Sequence, residues 1–217
     1  MKRLFSVFIS SVTAGILISI GGLVFLSAKE SSLIGASLLF AFGLFVVIFL
    51  KLYLYTGKIG YVFENKPSFL LDLLICLIGN AIGSVGTGYL FYFGHTCDSR
   101  LNVIYQNALA LSETKLSSSP VNLLILSFFC GILIFLAVEI ARRDFHPLIK
   151  AIGIFLPVAI FILTGFEHCV ADMFYFSAAN AWNGKAIGSI LLIILGNSAG
   201  SIAFYGLIRC SSKANGQ

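Results

Sequence analysis

Six apolar segments fix what this chain can become, since each approaches the ~20 residues that a helix needs to cross a bilayer. They run at about 4–28, 31–50, 67–94, 121–141, 147–177 and 186–209. Of the 217 residues, 59% are hydrophobic and 11% charged, with mean hydropathy +1.00. Soluble domains carry roughly 25% charged residues, so the expected class is an all-α integral membrane protein in contact with the lipid bilayer. The formal charge of +5 is scattered over short connections and forms no basic stripe, which argues against a nucleic-acid partner. The first segment is longer than a signal-peptide core and no small-x-small site follows it, so it is read as a span. Cys76, Cys97, Cys130, Cys169 and Cys210 show no C-x-x-C spacing, and neither a disulfide framework nor a metal site is expected.

Lysine and arginine set the orientation. With both termini on one side, that side gathers ten of them (Lys2, Arg3, Lys51, Lys58, Lys66, Arg142, Arg143, Lys150, Arg209, Lys213) against four on the other (Lys29, Arg100, Lys115, Lys185). The bias places both termini in the cytoplasm and the chain in the cytoplasmic membrane.

Two spans are irregular. The second runs into Lys51-Leu52-Tyr53-Leu54-Tyr55-Thr56-Gly57-Lys58, and the fifth contains Thr164-Gly165-Phe166-Glu167-His168-Cys169. Non-helical backbone at membrane depth survives only where protein covers it or it lines a cavity. The third span carries Gly79-Asn80-Ala81-Ile82-Gly83-Ser84 and the sixth Gly196-Asn197-Ser198-Ala199-Gly200-Ser201. Glycines four apart form a common packing face. Two copies in register, each after a broken span, add a repeat. Three spans per half is an odd number, so the halves lie upside down to one another, with the functional site where the two breaks meet. The expectation is one channel domain over 1–217, with repeats at about 4–94 and 121–209. Asn80 and Asn197 are expected to hydrogen-bond the backbone freed by the breaks. The connection 95–120 reads either as an amphipathic surface element or as a solvent loop.

Glu167, His168 and Asp172 lie where ionisable groups are costly and usually functional. Histidine can donate, accept or exchange a proton, and a dry site disfavours its cationic form. Glu167 is expected to support the broken backbone or a neighbouring asparagine. Asp172, four residues beyond His168, either tunes the histidine or caps a half-helix. No H-E-x-x-H, P-loop, dinucleotide or paired-carboxylate pattern occurs, so neither an enzyme nor a cofactor is expected. A water facilitator of the aquaporin type would carry N-P-A motifs, which this sequence lacks.

Gly165-Phe166-Glu167-His168-Cys169-Val170-Ala171-Asp172-Met173-Phe174 closely resembles the fifth-helix signature of the formate/nitrite transporter family. Thr13-Ala14-Gly15, Leu54-Tyr55-Thr56, both G-N-x-x-G elements and Thr114-Lys115 extend the resemblance over nearly the whole chain. It implies an aquaporin-like six-helix fold in a pentamer, with a pore for small monovalent anions in each protomer. Thr56 and His168 would form the central pair and Lys115 the anion-attracting entrance. Phe40, Leu44, Leu54, Tyr55, Ile134 and Phe161 would make hydrophobic constrictions that strip or exclude water. Departures are Gly131, where formate-type members carry asparagine, Tyr53 in place of an acidic residue and Tyr55 in place of phenylalanine. A wider, less hydrogen-bonding centre resembles the hydrosulfide channel branch, implying HS⁻ as the preferred anion, with formate, nitrite and chloride as others.

Overall fold

A computed structural model describes residues 2–214; Met1 and residues 215–217 of the expected 1–217 domain lie outside it. The described residues form helices and connections, without strands. In order these are α1 (Lys2–Ala28), α2 (Leu33–Phe49), α3 (Tyr55–Lys58, continued by a 3-10 turn to Tyr61), α4 (Phe69–Gly94), α5 (Ser99–Ser117), α6 (Pro120–Arg142), α7 (Pro147–Leu163), α8 (Cys169–Ala178) and α9 (Gly184–Ala214). Four of them, α1, α4, α6 and α9, are long and apolar enough to cross a membrane. At 1.5 Å per residue, α2 and α7, with 17 residues each, reach only about 25 Å. That is short of a ~30 Å hydrocarbon layer, so each needs the short helix beyond its break to complete the crossing.

The two halves repeat one another in detail. α1 packs on α4, and α6 on α9. Gly15 sits against the Asn80 carbonyl where Gly131 sits against the Asn197 carbonyl, too close in both cases for a Cβ. Ser84 donates to the Gly15 carbonyl at 3.3 Å, and Ser201 to the Gly131 carbonyl at 2.9 Å. Such backbone approach is how membrane helices gain contact without a hydrophobic drive between them.

The 95–120 connection is not a plain loop. Asp98 caps α5 by accepting from the Arg100 amide at 2.7 Å, and the Arg100 guanidinium beside it holds the exposed carboxyl below its usual range. Asn107 donates to the Leu26 carbonyl at 2.9 Å and Ser112 to the Tyr175 carbonyl at 3.2 Å. These bonds lay α5 along α1 and α8 within the protomer. Its amphipathic face thus seals its own bundle.

Candidate functional site

Each break is built by the same backbone device. α2 and α7 end with one residue in the left-handed region, Lys51 (φ 55°) and Gly165 (φ 68°). The next amide turns back into the helix: Leu52 N–H donates to Val47 O and Phe166 N–H to Phe161 O, each at 2.9 Å. This is a left-handed helix cap, for which glycine is the unstrained choice. Lysine therefore occupies a costlier conformation in the first break than glycine does in the second.

An asparagine from the packing helix then holds the freed strand. Asn80 Oδ1 accepts from the Tyr55 amide at 2.8 Å, while its Nδ2 donates to the Tyr53 carbonyl at 3.0 Å and the Ser11 carbonyl at 2.8 Å. Asn197 Oδ1 accepts from the Cys169 amide at 3.0 Å, and its Nδ2 donates to the Glu167 and Ser127 carbonyls, both at 2.8 Å. Three buried backbone groups are satisfied each time, which is what lets irregular chain persist at this depth.

The clamp fixes the register of the repeat. Tyr53 matches Glu167, Tyr55 matches Cys169, and the residue between them is extended in both: Leu54 (φ −114°, ψ 126°) and His168 (φ −119°, ψ 111°). The positional counterpart of His168 is thus Leu54. Thr56, two residues further on, reaches across instead, its Oγ1 2.8 Å from His168 Nε2. Both side chains are buried, at 0% and 2% exposure.

His168 also caps α8, its Nδ1 accepting from the Ala171 amide at 3.2 Å. A nitrogen that accepts carries no proton, so the geometry assigns the neutral tautomer with Nε2–H donating to Thr56. The threonine keeps its own hydroxyl proton for another acceptor.

Two cavities lie near the pair, one against Leu54 and Gly57, which flank Thr56 in the chain, and one ending on His168. One, of about 850 Å³, is lined by Leu44, Leu54, Tyr53, Gly57 and Tyr61, with Lys51, Lys58, Arg142 and Lys150 against Glu64. The other, about 50 Å³, is lined by Phe161, His168, Lys115, Asp172 and Tyr175, among others. Phe40 and Phe161 meet edge to face at 5.7 Å, and Phe161 stacks on His168 at 5.9 Å. Ile134 and Phe40 are buried in the same core, and neither lines either cavity. Tyr55 turns away, its hydroxyl 2.9 Å from Ser198 Oγ of α9.

Three expectations change. Glu167 does not support the break with its side chain; its carbonyl is what Asn197 holds, and its carboxylate pairs with Lys115. Asp172 neither tunes His168 nor caps α8, for its Oδ1 lies 2.9 Å from Lys115 Nζ. Gly131 does not widen the centre, because the space a side chain would fill is taken by the Asn197 carbonyl, as at Gly15. Lys115 is itself nearly enclosed, at 9% exposure.

Tyr175 went unnoticed in the sequence. It stands one helical turn beyond Asp172, a spacing that would have put it on the same face. Among the described residues no cluster of His, Cys, Asp and Glu is arranged to hold a metal ion.

A family profile described as formate/nitrite transporter matches residues 1–211. An uncharacterized transporter of Bacillus subtilis, YrhG, is 32% identical over 82% of this chain and 70% of its own length. The formate channel BtFdhC of Bacillus thuringiensis is 30% identical over 58% of this chain and 50% of its length. The formate channel FocA of Haemophilus influenzae is 24% identical over 80% and 66%. Against these two formate channels, the match spans half to about two thirds of their length. Among solved structures, a pentameric formate channel with formate bound superposes with a TM-score of 0.83 at 21% identity, covering 98% of each chain. A channel described as an FNT family ion channel gives 0.81 at 22% identity, over 94% of this chain and 89% of its own. The fold is therefore that of these channels, and the apolar helices mark an integral membrane protein.

Proposed function

Because the chain belongs to the formate/nitrite transporter family, we propose that it passes small monovalent anions such as formate or nitrite, each protomer of a homopentamer holding its own pore. The observation that carries this reading is the buried Thr56–His168 pair, set where two broken spans meet, with one cavity ending on His168 and a larger one against the residues that flank Thr56. Similarity to formate channels and to a pentameric channel structure supports the substrate class and the assembly.

The lysine-bearing cavity (Lys51, Lys58, Lys150) faces the side that the charge bias assigns to the cytoplasm, where it concentrates anions by its field. Phe40, Leu44, Leu54 and Phe161 form the dry collar, which turns away strongly hydrated or large ions. At the centre the Thr56 hydroxyl, free to donate, replaces part of the water an anion has lost. His168 orients that hydroxyl from its neutral form and acts as a hydrogen-bond donor; its other nitrogen is engaged by the α8 cap and does not relay protons.

Hydrosulfide is the second reading, supported by Tyr53, which lines the larger cavity where formate-type members carry an acidic residue. Uptake of formate, nitrite, HS⁻ and chloride into vesicles carrying the purified pentamer tests both. Formate or nitrite flux well above that of empty vesicles is expected. Flux of HS⁻ alone would replace the first reading with the second, and none of any anion would end both.

A further inference from the structure

Away from the Thr56–His168 pair, a cavity of about 260 Å³ lies between the ends of α6 and α9. Three guanidinium groups line it, Arg142, Arg143 and Arg209, against two carboxylates, Glu64 and Glu139. Three cations less two anions leave a surplus of one positive charge.

The carboxylates account for two of the arginines. Glu139 Oε1 accepts from Arg143 Nε at 3.2 Å, and its Oε2 accepts from the Tyr61 hydroxyl at 2.9 Å. Glu64 Oε1 lies 3.0 Å from Nη2 of Arg209, and the same guanidinium donates from Nε to the Tyr205 hydroxyl at 2.9 Å. Arg142 is left over. Its nearest carboxylate oxygen among the described residues is Glu64 Oε2 at 4.0 Å, beyond hydrogen-bond reach. The guanidinium lies instead over the ring of buried Tyr61, 4.0 Å from the centroid. Stacking holds the plane of the group and leaves the N–H fork at its edge without a carboxylate. A guanidinium fixed in this way beside a cavity is preorganised for a bidentate oxyanion.

Charge and setting narrow the oxyanion. A surplus of one matches a phosphodiester, which carries one negative charge, better than a phosphate monoester, which carries about −1.5 to −2. All three arginines are exposed, so the cavity reaches the surface. Both helices are long and apolar enough to cross a membrane, which puts their ends at its edge, on the side that the charge bias assigns to the cytoplasm. Beside Ile208 of the lining, Leu207 is exposed, an apolar surface suited to an acyl chain. Basic pockets between spans at this level hold anionic headgroups.

We propose that this cavity binds a phosphate ester on the Arg142 guanidinium, with Arg143, Arg209 and Ser212 around it, and that the ester is the phosphodiester of an anionic membrane lipid. The site does not depend on what the pore passes. Glu64 competes with the ligand for Arg142.

The test is lipid binding to the purified protein in neutral detergent, followed by native mass spectrometry as phosphatidylglycerol or phosphatidylcholine is titrated. Phosphatidylglycerol should bind about tenfold or more tighter, the worth of one charge-assisted hydrogen bond. Arg142→Gln should abolish that preference, and Glu64→Gln, which deletes the competing carboxylate, should strengthen it. Arg100→Gln, an exposed arginine in the 95–120 connection, should leave it unchanged. Should Arg142→Gln fail to assemble, Arg142→Lys decides: the charge stays but the planar fork is lost, so the preference falls severalfold. A second arm titrates glycerol phosphate. Binding of that soluble ester through Arg142, with no preference between the lipids, would keep the phosphate site and move its source to solution. Equal binding of the two lipids without Arg142-dependent binding of the soluble ester overturns the site, and so does a lipid preference that the Arg142 variants leave intact.

Discussion

The two breaks share a backbone and differ in nearly every side chain that does something. A left-handed residue, a returning amide and an asparagine clamp with three hydrogen bonds recur in both. Where the first break then presents Leu54, the second presents His168. Where Tyr53 lies beneath the Lys58 ammonium at 4.9 Å, Glu167 grips Lys115. α5, which supplies that lysine, belongs to the connection and has no equivalent in the repeat. The scaffold is thus symmetric because unsatisfied backbone in lipid leaves few solutions. The site is asymmetric because chemistry needs only one histidine and one hydroxyl facing it.

Substitutions can separate scaffold from site. The largest effect is expected from Lys115→Met, which strands two buried carboxylates; loss of one partner of a buried ion pair costs about 3–5 kcal/mol. Thermal unfolding of the purified protein in detergent should show it, with recovery in the triple variant Lys115→Met, Glu167→Gln, Asp172→Asn. If the single variant melts like the wild type, the three groups are not the cluster described. Next come Asn80→Ala and Asn197→Ala. Each frees three buried backbone groups, so each should cost about 3 kcal/mol or more. Near-equal losses would support the symmetric scaffold, and a loss at only one position would break it.

A smaller effect on stability accompanies His168→Leu, which makes the second break resemble the first. The cap of α8 is lost, at about 1 kcal/mol, and formate flux should fall by about tenfold or more, since one hydrogen bond to the central hydroxyl is worth roughly that factor. Undiminished flux would remove His168 from the pore. The smallest change is Lys51→Gly, which relieves a left-handed lysine and should stabilise by up to about 1–2 kcal/mol. Gly165→Ala should destabilise by a similar amount, and both shifts are readable as melting temperatures. Opposite signs are the signature of a shared cap filled by unlike residues.

Much of this architecture can be read without coordinates. Segment length and apolarity yield the spans within a few residues, because the bilayer imposes one thickness on all of them. The duplicated G-N-x-x-G-S elements yield the repeat, because close helix approach demands glycine at fixed spacing. Polar side chains were harder. Glu167 departs from expectation because sequence does not distinguish a residue held by its carbonyl from one acting through its carboxylate. Gly131 suggested space because an absent side chain looks like an opening, until the Asn197 carbonyl is found there. α5 is ambiguous in sequence, as an amphipathic stretch of mixed polar and apolar residues suits a surface helix and a solvent loop alike. Its decisive residue, Lys115, gains meaning only when paired with groups more than fifty positions later in the chain.

That pairing sets an order of assembly. During synthesis the first half emerges with the asparagine and the glycines that hold its own break all present. The charged cluster of the second break is assembled differently. α5 leaves the ribosome with a lysine that has no counter-charge, and Glu167 and Asp172 appear only after two further helices have been laid into the bilayer. Until α8 turns in and meets α5, these charges must wait near water. The docking of α8 against the connecting helix is therefore the step that neutralises this charge, and a protomer stalled before it would present the quality-control machinery with unpaired charge rather than with exposed oil.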